Sequence, residues 1–409
     1  MRPAAMAPNS RNADLRGASR LAVAATLGVT DLVEAMHRTV QRVPLPLGKP
    51  VEGRTRGITG FVYGAVRGVT RMVGGGIDTA LALLGEALPE DESEAGWAGR
   101  EPLVAALNGV LGDYLERTAN PLATPMTLRY EGRALLPGEG AAGVAAPGGW
   151  LIVAIHGLCM SDLQWRRGPV DPVAVLARKL GATPLHLRYN TGLHVSTNGR
   201  ALSDRLQALL SEWPVPITRI TLIGHSMGGL VARSAHHDAQ SRGLDWIRLL
   251  RDMVFLGTPH HGAPLERGGR WVHEVLGVSP YSAAFARLGG LRSAGITDLR
   301  HGSLLDEDWQ GRDRFAHAAD TRVPVPLPEG VACYAVAATT GRREDPLARR
   351  LLGDGLVPLD SALGRHPQAR RRLAFPPGHT WIALRTGHVG LLGRASVYRH
   401  VEGWLAEGG

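Results

Sequence analysis

The sequence predicts an α/β fold built on one mostly parallel sheet with helices on both faces. Short apolar runs bounded by glycine recur at strand length, separated by helical patterns. One of them, Ile220 to Ile223, enters a turn, Gly224-His225-Ser226-Met227-Gly228, and leaves it as a small-residue helix. This alternation holds from Pro121 to the C-terminus, whereas residues 1–120 carry helical patterns alone.

Taken in order, the first 120 residues read as an N-terminal helical region. Arg2, Arg11, Arg16 and Arg20 precede Leu21 to Val29, a short, late apolar stretch that runs on into a helical pattern at Leu32, Val33, Met36 and Val40. It makes no convincing signal peptide, and no segment has the charge-free length of a membrane span. Ile58, Phe61, Val62, Ala65, Val66, Val69, Met72 and Val73 form a stripe at helical spacing, opposite Gly60, Gly64, Arg67, Gly68 and Arg71. Such a stripe packs against a neighbour in most proteins. The alternative is a helix lying on a membrane or lipid body. Gly74-Gly75-Gly76 breaks it, a second helix is expected over Ile77 to Leu88, and Pro89 to Arg100 is acidic and loop-like. Glu101 to Thr118 predicts a further amphipathic helix.

Residues 121–409 predict the sheet domain. Met126 to Tyr130 and Ala134 to Leu136 are expected as edge strands joined at Glu131-Gly132. Trp150 to Ile155, Pro184 to Arg188, the turn strand, Met253 to Leu256 and Val331 to Val336 are expected as parallel strands. Pro172 to Leu180 and Gly199 to Trp213 are expected as helices. A long insertion at about 262–330 lies where it would overhang a site, as a cap or lid.

Net charge is +9, yet lysine occurs only at Lys49 and Lys179 and arginine is scattered. No basic run is interleaved with aromatics, which argues against nucleic acid and leaves weak attraction to an anionic surface. The expected location is cytoplasmic or peripheral to membrane or lipid bodies. Cys159 and Cys333 are expected as buried free thiols. His236-His237 and His260-His261 are adjacent pairs without the spacing of a zinc set, and no dinucleotide or Walker loop is present, so neither metal nor cofactor is expected.

The serine turn carries the chemistry. A glycine two residues to either side of Ser226 avoids collision with the neighbouring strand and helix while the serine takes a strained backbone. A serine hydroxyl needs a base, an acid to orient the base, and donors for an oxyanion. His388, in a glycine-bounded loop before a terminal helix, is the candidate base, with His379 as competitor. Asp354, between Gly353 and Gly355, is the candidate acid, with Asp360 and Asp345 as alternatives. For the oxyanion hole the candidates are the backbone N–H groups of Met227, heading the turn helix, and Leu158, in the turn His156-Gly157-Leu158. Leu158 should therefore tolerate alanine, and His156 should hold the loop.

With these residues the chain resembles the α/β-hydrolase superfamily, in its lipase and esterase branch. Ile155 to Leu158, Gly224 to Gly229, Leu256 to Gly262 (Leu-Gly-Thr-Pro-His-His-Gly), Gly353 to Pro358 and His388 carry the resemblance, which covers Pro121 to the C-terminus. The turn and the Thr-Pro-His-His-Gly segment are similar to those of bacterial triacylglycerol lipases and of GPI inositol-deacylase-like hydrolases. The resemblance implies cleavage of an acyl ester or lipid, a mobile cap, and a structural part for His261. Acyltransferases, thioesterases and non-catalytic members share the fold, so transfer, thioester cleavage or lipid-surface binding stay open.

Overall fold

Eight strands form one sheet in the order β2-β1-β4-β3-β5-β6-β7-β8. A computed structural model describes residues 11–42, 64, 66–73, 75, 78–79, 100–136, 138, 143–166, 170–263, 293–313, 320–341 and 353–407. The expected helix at Ile77 to Leu88, the alternative acid Asp345 and the middle of the 262–330 insertion lie largely or wholly outside them.

The chain divides into two units, Met1–Gly99 with Leu115–Ala123, and Arg100–Tyr114 with Thr124–Gly409. In the first, α1 (Arg11–Arg42) is one long helix. Arg16 and Arg20 reach Asp78 at 3.2 and 2.8 Å, and the hydrogen bond from Arg20, chiefly, pulls its carboxyl down to about 2. Residues 66–73 are helical, but the apolar stripe there faces solvent. Val69 is 60% exposed and Met72 77%, while Arg67 turns inward to meet Asp31 at 2.7 Å. The expected packing of this stripe on a neighbour is not what these residues show.

The second unit holds the sheet. Here α2 (Arg100–Arg117) contributes Arg100–Tyr114, so this division differs from the expected boundary at residue 120 by one element. The physical reason is close glycine packing. A Cβ at Gly109 would stand 2.1 Å from Cys159 Sγ, and one at Gly112 would stand 1.9 Å from Asn190 Oδ1. Glu101 also takes an ion pair from Arg188 at 2.5 Å.

β1 (Thr127–Tyr130) and β2 (Arg133–Leu135) form a hairpin. Its turn residues Glu131 and Gly132 both have positive φ, 50° and 90°, the twist a two-residue hairpin requires. β1 also pairs antiparallel with β4 (Thr183–Arg188), so β2 alone forms that edge. β3 (Trp150–Ile155), β5 (Arg219–His225), β6 (Leu250–Leu256) and β7 (Ala332–Thr339) run parallel at the centre. β8 (Thr380–Leu384), which the sequence did not announce, adds a parallel edge.

These strands read as continuous apolar runs because both faces are buried. On one face Leu151, Val153, Ile155 and Leu222 pack with α4 (Val195–Glu212) and α5 (Met227–Arg242) through residues such as Leu202, Leu206 and Val231. On the other, Ile152, Ala154 and Ile223 pack with α3 (Pro172–Leu180) and a C-terminal helix, Ala395–Glu407, through Leu176, Val397 and Val401. Asp171 caps α3 by accepting from the N–H of Val173 and Ala174, and Gly181 at φ 69° ends it. This is the α/β-hydrolase fold.

Candidate active site

The turn between β5 and α5 fixes Ser226. Its backbone stands at φ 54°, ψ −124°, a region costly for a residue with a Cβ. Packing enforces it. A Cβ at Gly224 would meet Gly229 Cα at 2.5 Å, and one at Gly228 would meet the Ile155 carbonyl at 2.2 Å. The Ser226 N–H donates to the Leu256 carbonyl at 2.9 Å, tying the turn to β6. Ser226 Oγ has no hydrogen-bond partner among the described residues and opens on a cleft.

His388 lines the same cleft. Its Nδ1 lies 2.6 Å from Asp354 Oδ2, with both side chains buried. The other oxygen of Asp354 accepts from the N–H groups of Leu356 at 2.9 Å and Val357 at 2.7 Å. Serine, imidazole and carboxylate are thus brought together in the order the sequence suggested. The alternatives lie elsewhere. His379 Nδ1 meets the Cys333 carbonyl at 3.0 Å and its ring stacks on Tyr334, and Asp360 is exposed beside Arg365.

The loop after β3 brings Leu158 to the cleft. Along this loop the Cys159 N–H donates to Thr191 Oγ1 at 3.1 Å and the Met160 N–H to the Gly157 carbonyl at 3.3 Å. The Leu158 N–H has no partner among the described residues. Met227 is the first residue of α5, so its N–H is an orphan of the helix start. His156 stands behind the loop, with Nδ1 3.0 Å from the Gly157 carbonyl and its ring stacked on Tyr189 at 4.4 Å. Burial pushes its pKa down to about 4, so the ring is neutral.

Several supporting residues carried no signal along the chain. The Tyr189 hydroxyl donates to the His156 carbonyl at 2.7 Å, Thr191 holds Cys159, and Gly109 admits Cys159 against α2. Only contact across the fold identifies them. His225, inside the serine turn, was legible as a motif position but not in its contact. Its Nε2 meets the His388 carbonyl at 3.2 Å and the two rings stand 4.7 Å apart.

The cleft around Ser226 is apolar, formed by Leu158, Met160, Leu299, Leu356, Val357 and Val389. Leu299 belongs to the insertion, just after the short helix Ala294–Asp298. That helix is seated closely: a Cβ at Gly295 would stand 2.1 Å from the Thr191 carbonyl and 3.1 Å from Met227 Cε. Among the described residues no group of three His, Cys, Asp or Glu is arranged to hold a metal, and no helix is long and apolar enough to cross a membrane.

Residues 188–323 match the family model of the PGAP1-like alpha/beta domain. That stretch includes the serine turn and ends before Asp354 and His388. No curated protein matches the sequence. Among solved structures the chain is similar to a lipase of Bacillus licheniformis in mature form, at 18% identity over 69% of this chain and 97% of that one, with a TM-score of 0.40. It is also similar to EstA of Clostridium botulinum, at 12% identity over 65% and 90%, TM-score 0.37. A third is an esterase of Pyrococcus furiosus, at 16% identity over 63% and 79%, TM-score 0.35.

Proposed function

We propose that this α/β-hydrolase-fold protein is a serine hydrolase that cleaves carboxylic (acyl) esters, lipase- or esterase-like, through Ser226, His388 and Asp354. The observation that carries the reading is the buried Asp354–His388 pair on the same apolar cleft as an unpartnered serine at a strained turn. His388 takes the Ser226 proton through Nε2 as Oγ attacks the acyl carbonyl. Asp354 holds the Nδ1–H and stabilises the imidazolium. The N–H groups of Leu158 and Met227 receive the oxyanion, each donor contributing about 2.7–4 kcal/mol to the transition state. The alcohol departs with the proton from His388, leaving an acyl-serine. Water then attacks with His388 again as base, and the carboxylic acid is released.

A chain-length series of p-nitrophenyl acyl esters, run on wild type and Ser226→Ala, tests this reading. Wild-type turnover that vanishes in the variant supports it, and the preferred chain length separates esterase from lipase. Full activity in Ser226→Ala overturns it. Acyl transfer to an alcohol or thioester cleavage would use the same residues, and product analysis with competing acceptors distinguishes them.

The exposed side chains of Val66, Val69, Met72 and Val73 favour a second, compatible activity: weak attachment of the N-terminal region to a lipid surface. The full chain should float with anionic vesicles, and Val69→Asp with Met72→Asp should reduce flotation without changing turnover of a soluble ester. Flotation unaffected by the pair would remove this part of the reading.

A further inference from the structure

Behind the serine turn, on the far side of the Thr258–Gly262 loop, lies a second, partly open pocket. Pro259 of this loop lines the first cleft, whereas His260 and His261 line the second. Arg233 of α5, Arg322 and Arg371 line it too, all of them buried.

The charges in this pocket do not close. Asp320 answers two of the arginines, meeting Arg322 Nε at 2.9 Å and Arg371 Nη1 at 3.2 Å. Asp308 adds a second negative charge, its oxygens occupied by the N–H groups of Leu304 and Leu305 on one side and of Val323 on the other, so three guanidiniums face two carboxylates. Arg233, 4% exposed, has no carboxylate partner among the described residues. Its Nη1 meets His260 Nδ1 at 3.3 Å and its Nη2 donates to the Val325 carbonyl. Its Nε is buried with no acceptor among the described residues.

The histidine adds a second orphan. Because His260 Nδ1 accepts from Arg233, its hydrogen is on Nε2, which is also buried without an acceptor among the described residues. Burial, and then Arg233, hold His260 well below its ordinary pKa, so it supplies a neutral donor rather than a second cation. His261, pushed down to about 4 by burial, gives its ring hydrogen to the Gly364 carbonyl and is a neutral neighbour, not a further donor. A buried guanidinium without a counter-charge is an unfavourable arrangement that a bound anion relieves.

We infer that this pocket binds a compact oxyanion of the phosphate class, free or as a phosphomonoester headgroup, which supplies the negative charge that the guanidiniums of Arg233, Arg322 and Arg371 lack beside only two carboxylates, Asp320 and Asp308. Guanidinium is the side chain best suited to such an anion, being always charged and offering several directed donors. Arg233 lies two turns along α5 from Ser226, so the site is separate from the ester cleft and its occupancy does not depend on the proposed chemistry.

Calorimetric titration and thermal unfolding of the full chain with inorganic phosphate, at ionic strength held constant with sodium chloride, test the inference. Saturable binding and a rise in Tm of about 2 °C or more at saturation are expected. Arg233→Gln should abolish both. Should that variant fail to fold, Asp320→Asn gives an independent readout, because freeing Arg322 and Arg371 from their carboxylate should tighten phosphate binding several-fold. Glycerol 3-phosphate in parallel separates the sources: a larger shift than phosphate marks a headgroup site, and an equal or smaller one marks a free-phosphate site. No saturable binding of either anion to wild type, or binding unchanged in both variants, overturns the inference.

Discussion

His388 Nδ1 stands 2.6 Å from Asp354 Oδ2, while the opposite oxygen of that aspartate is fixed by two backbone N–H groups. The carboxylate therefore cannot rotate away from the ring without abandoning its own loop. Asp354→Asn keeps the shape but presents either an amide N–H or a weaker acceptor to Nδ1. We expect kcat on a p-nitrophenyl ester to fall about 10⁴-fold, with little change in Tm. Activity within tenfold of wild type would assign the orienting role elsewhere.

The loop after β3 offers a sharper contrast. Leu158→Ala leaves the backbone N–H in place and should keep kcat within about fivefold, because a lost oxyanion donor costs some 10²–10³-fold. Thr191→Val removes the acceptor of the Cys159 N–H and should lower kcat more than it raises KM. Steady-state kinetics of the two variants side by side make the comparison, and equal losses would contradict it.

Gly109 lies outside the sheet yet against the same loop. A Cβ there would meet Cys159 Sγ at 2.1 Å and Cys159 Cα at 2.9 Å, and Cys159 already holds a positive φ of 58°. Gly109→Ala should lower stability by about 1–3 kcal/mol and reduce kcat at temperatures where the variant remains folded. Urea unfolding and ester turnover measure the two effects, and a neutral outcome in both would mean that α2 shifts freely.

Acid should unfold the protein over a defined window. Burial, first among the causes, pushes His156, His236 and His261 each down to about 4 from an ordinary 6.5, and holds His260 well below 6.5 too. Between those values the unfolded chain binds protons that the native chain refuses, so unfolding free energy rises with pH there. Stability is full above about 6.5 and lost as pH falls toward about 4. The urea midpoint should be clearly lower at about pH 5 than at about pH 7; a flat profile would contradict the burial of these rings.

What could be read along the chain was what is local. Trp150 to Ile155 and Pro172 to Leu180 fall where their patterns predicted, because an apolar run between glycines and a proline-led amphipathic stretch define themselves. The serine turn was legible because its serine and both flanking glycines sit within five consecutive residues. Asp354 and His388 were legible through their glycine loops and chain order. β8 was missed, since Thr380 to Leu384 is short, only partly buried and preceded by Pro376-Pro377. The grouping of Arg100–Tyr114 with the sheet, and the meeting of Arg233, Arg322 and Arg371 around one pocket, arise between segments scores of residues apart. No periodicity records such encounters.

The backbone of Ser226 has one further consequence. At φ 54° and ψ −124° the fold keeps a wound spring at its centre, holding about 1–3 kcal/mol. Ser226→Gly would release it, giving a chemically silent protein with a higher melting temperature than its parent. The resting molecule would then be, at this single position, a compromise: the residue that a folding chain would choose there and the residue that a nucleophile requires are different ones.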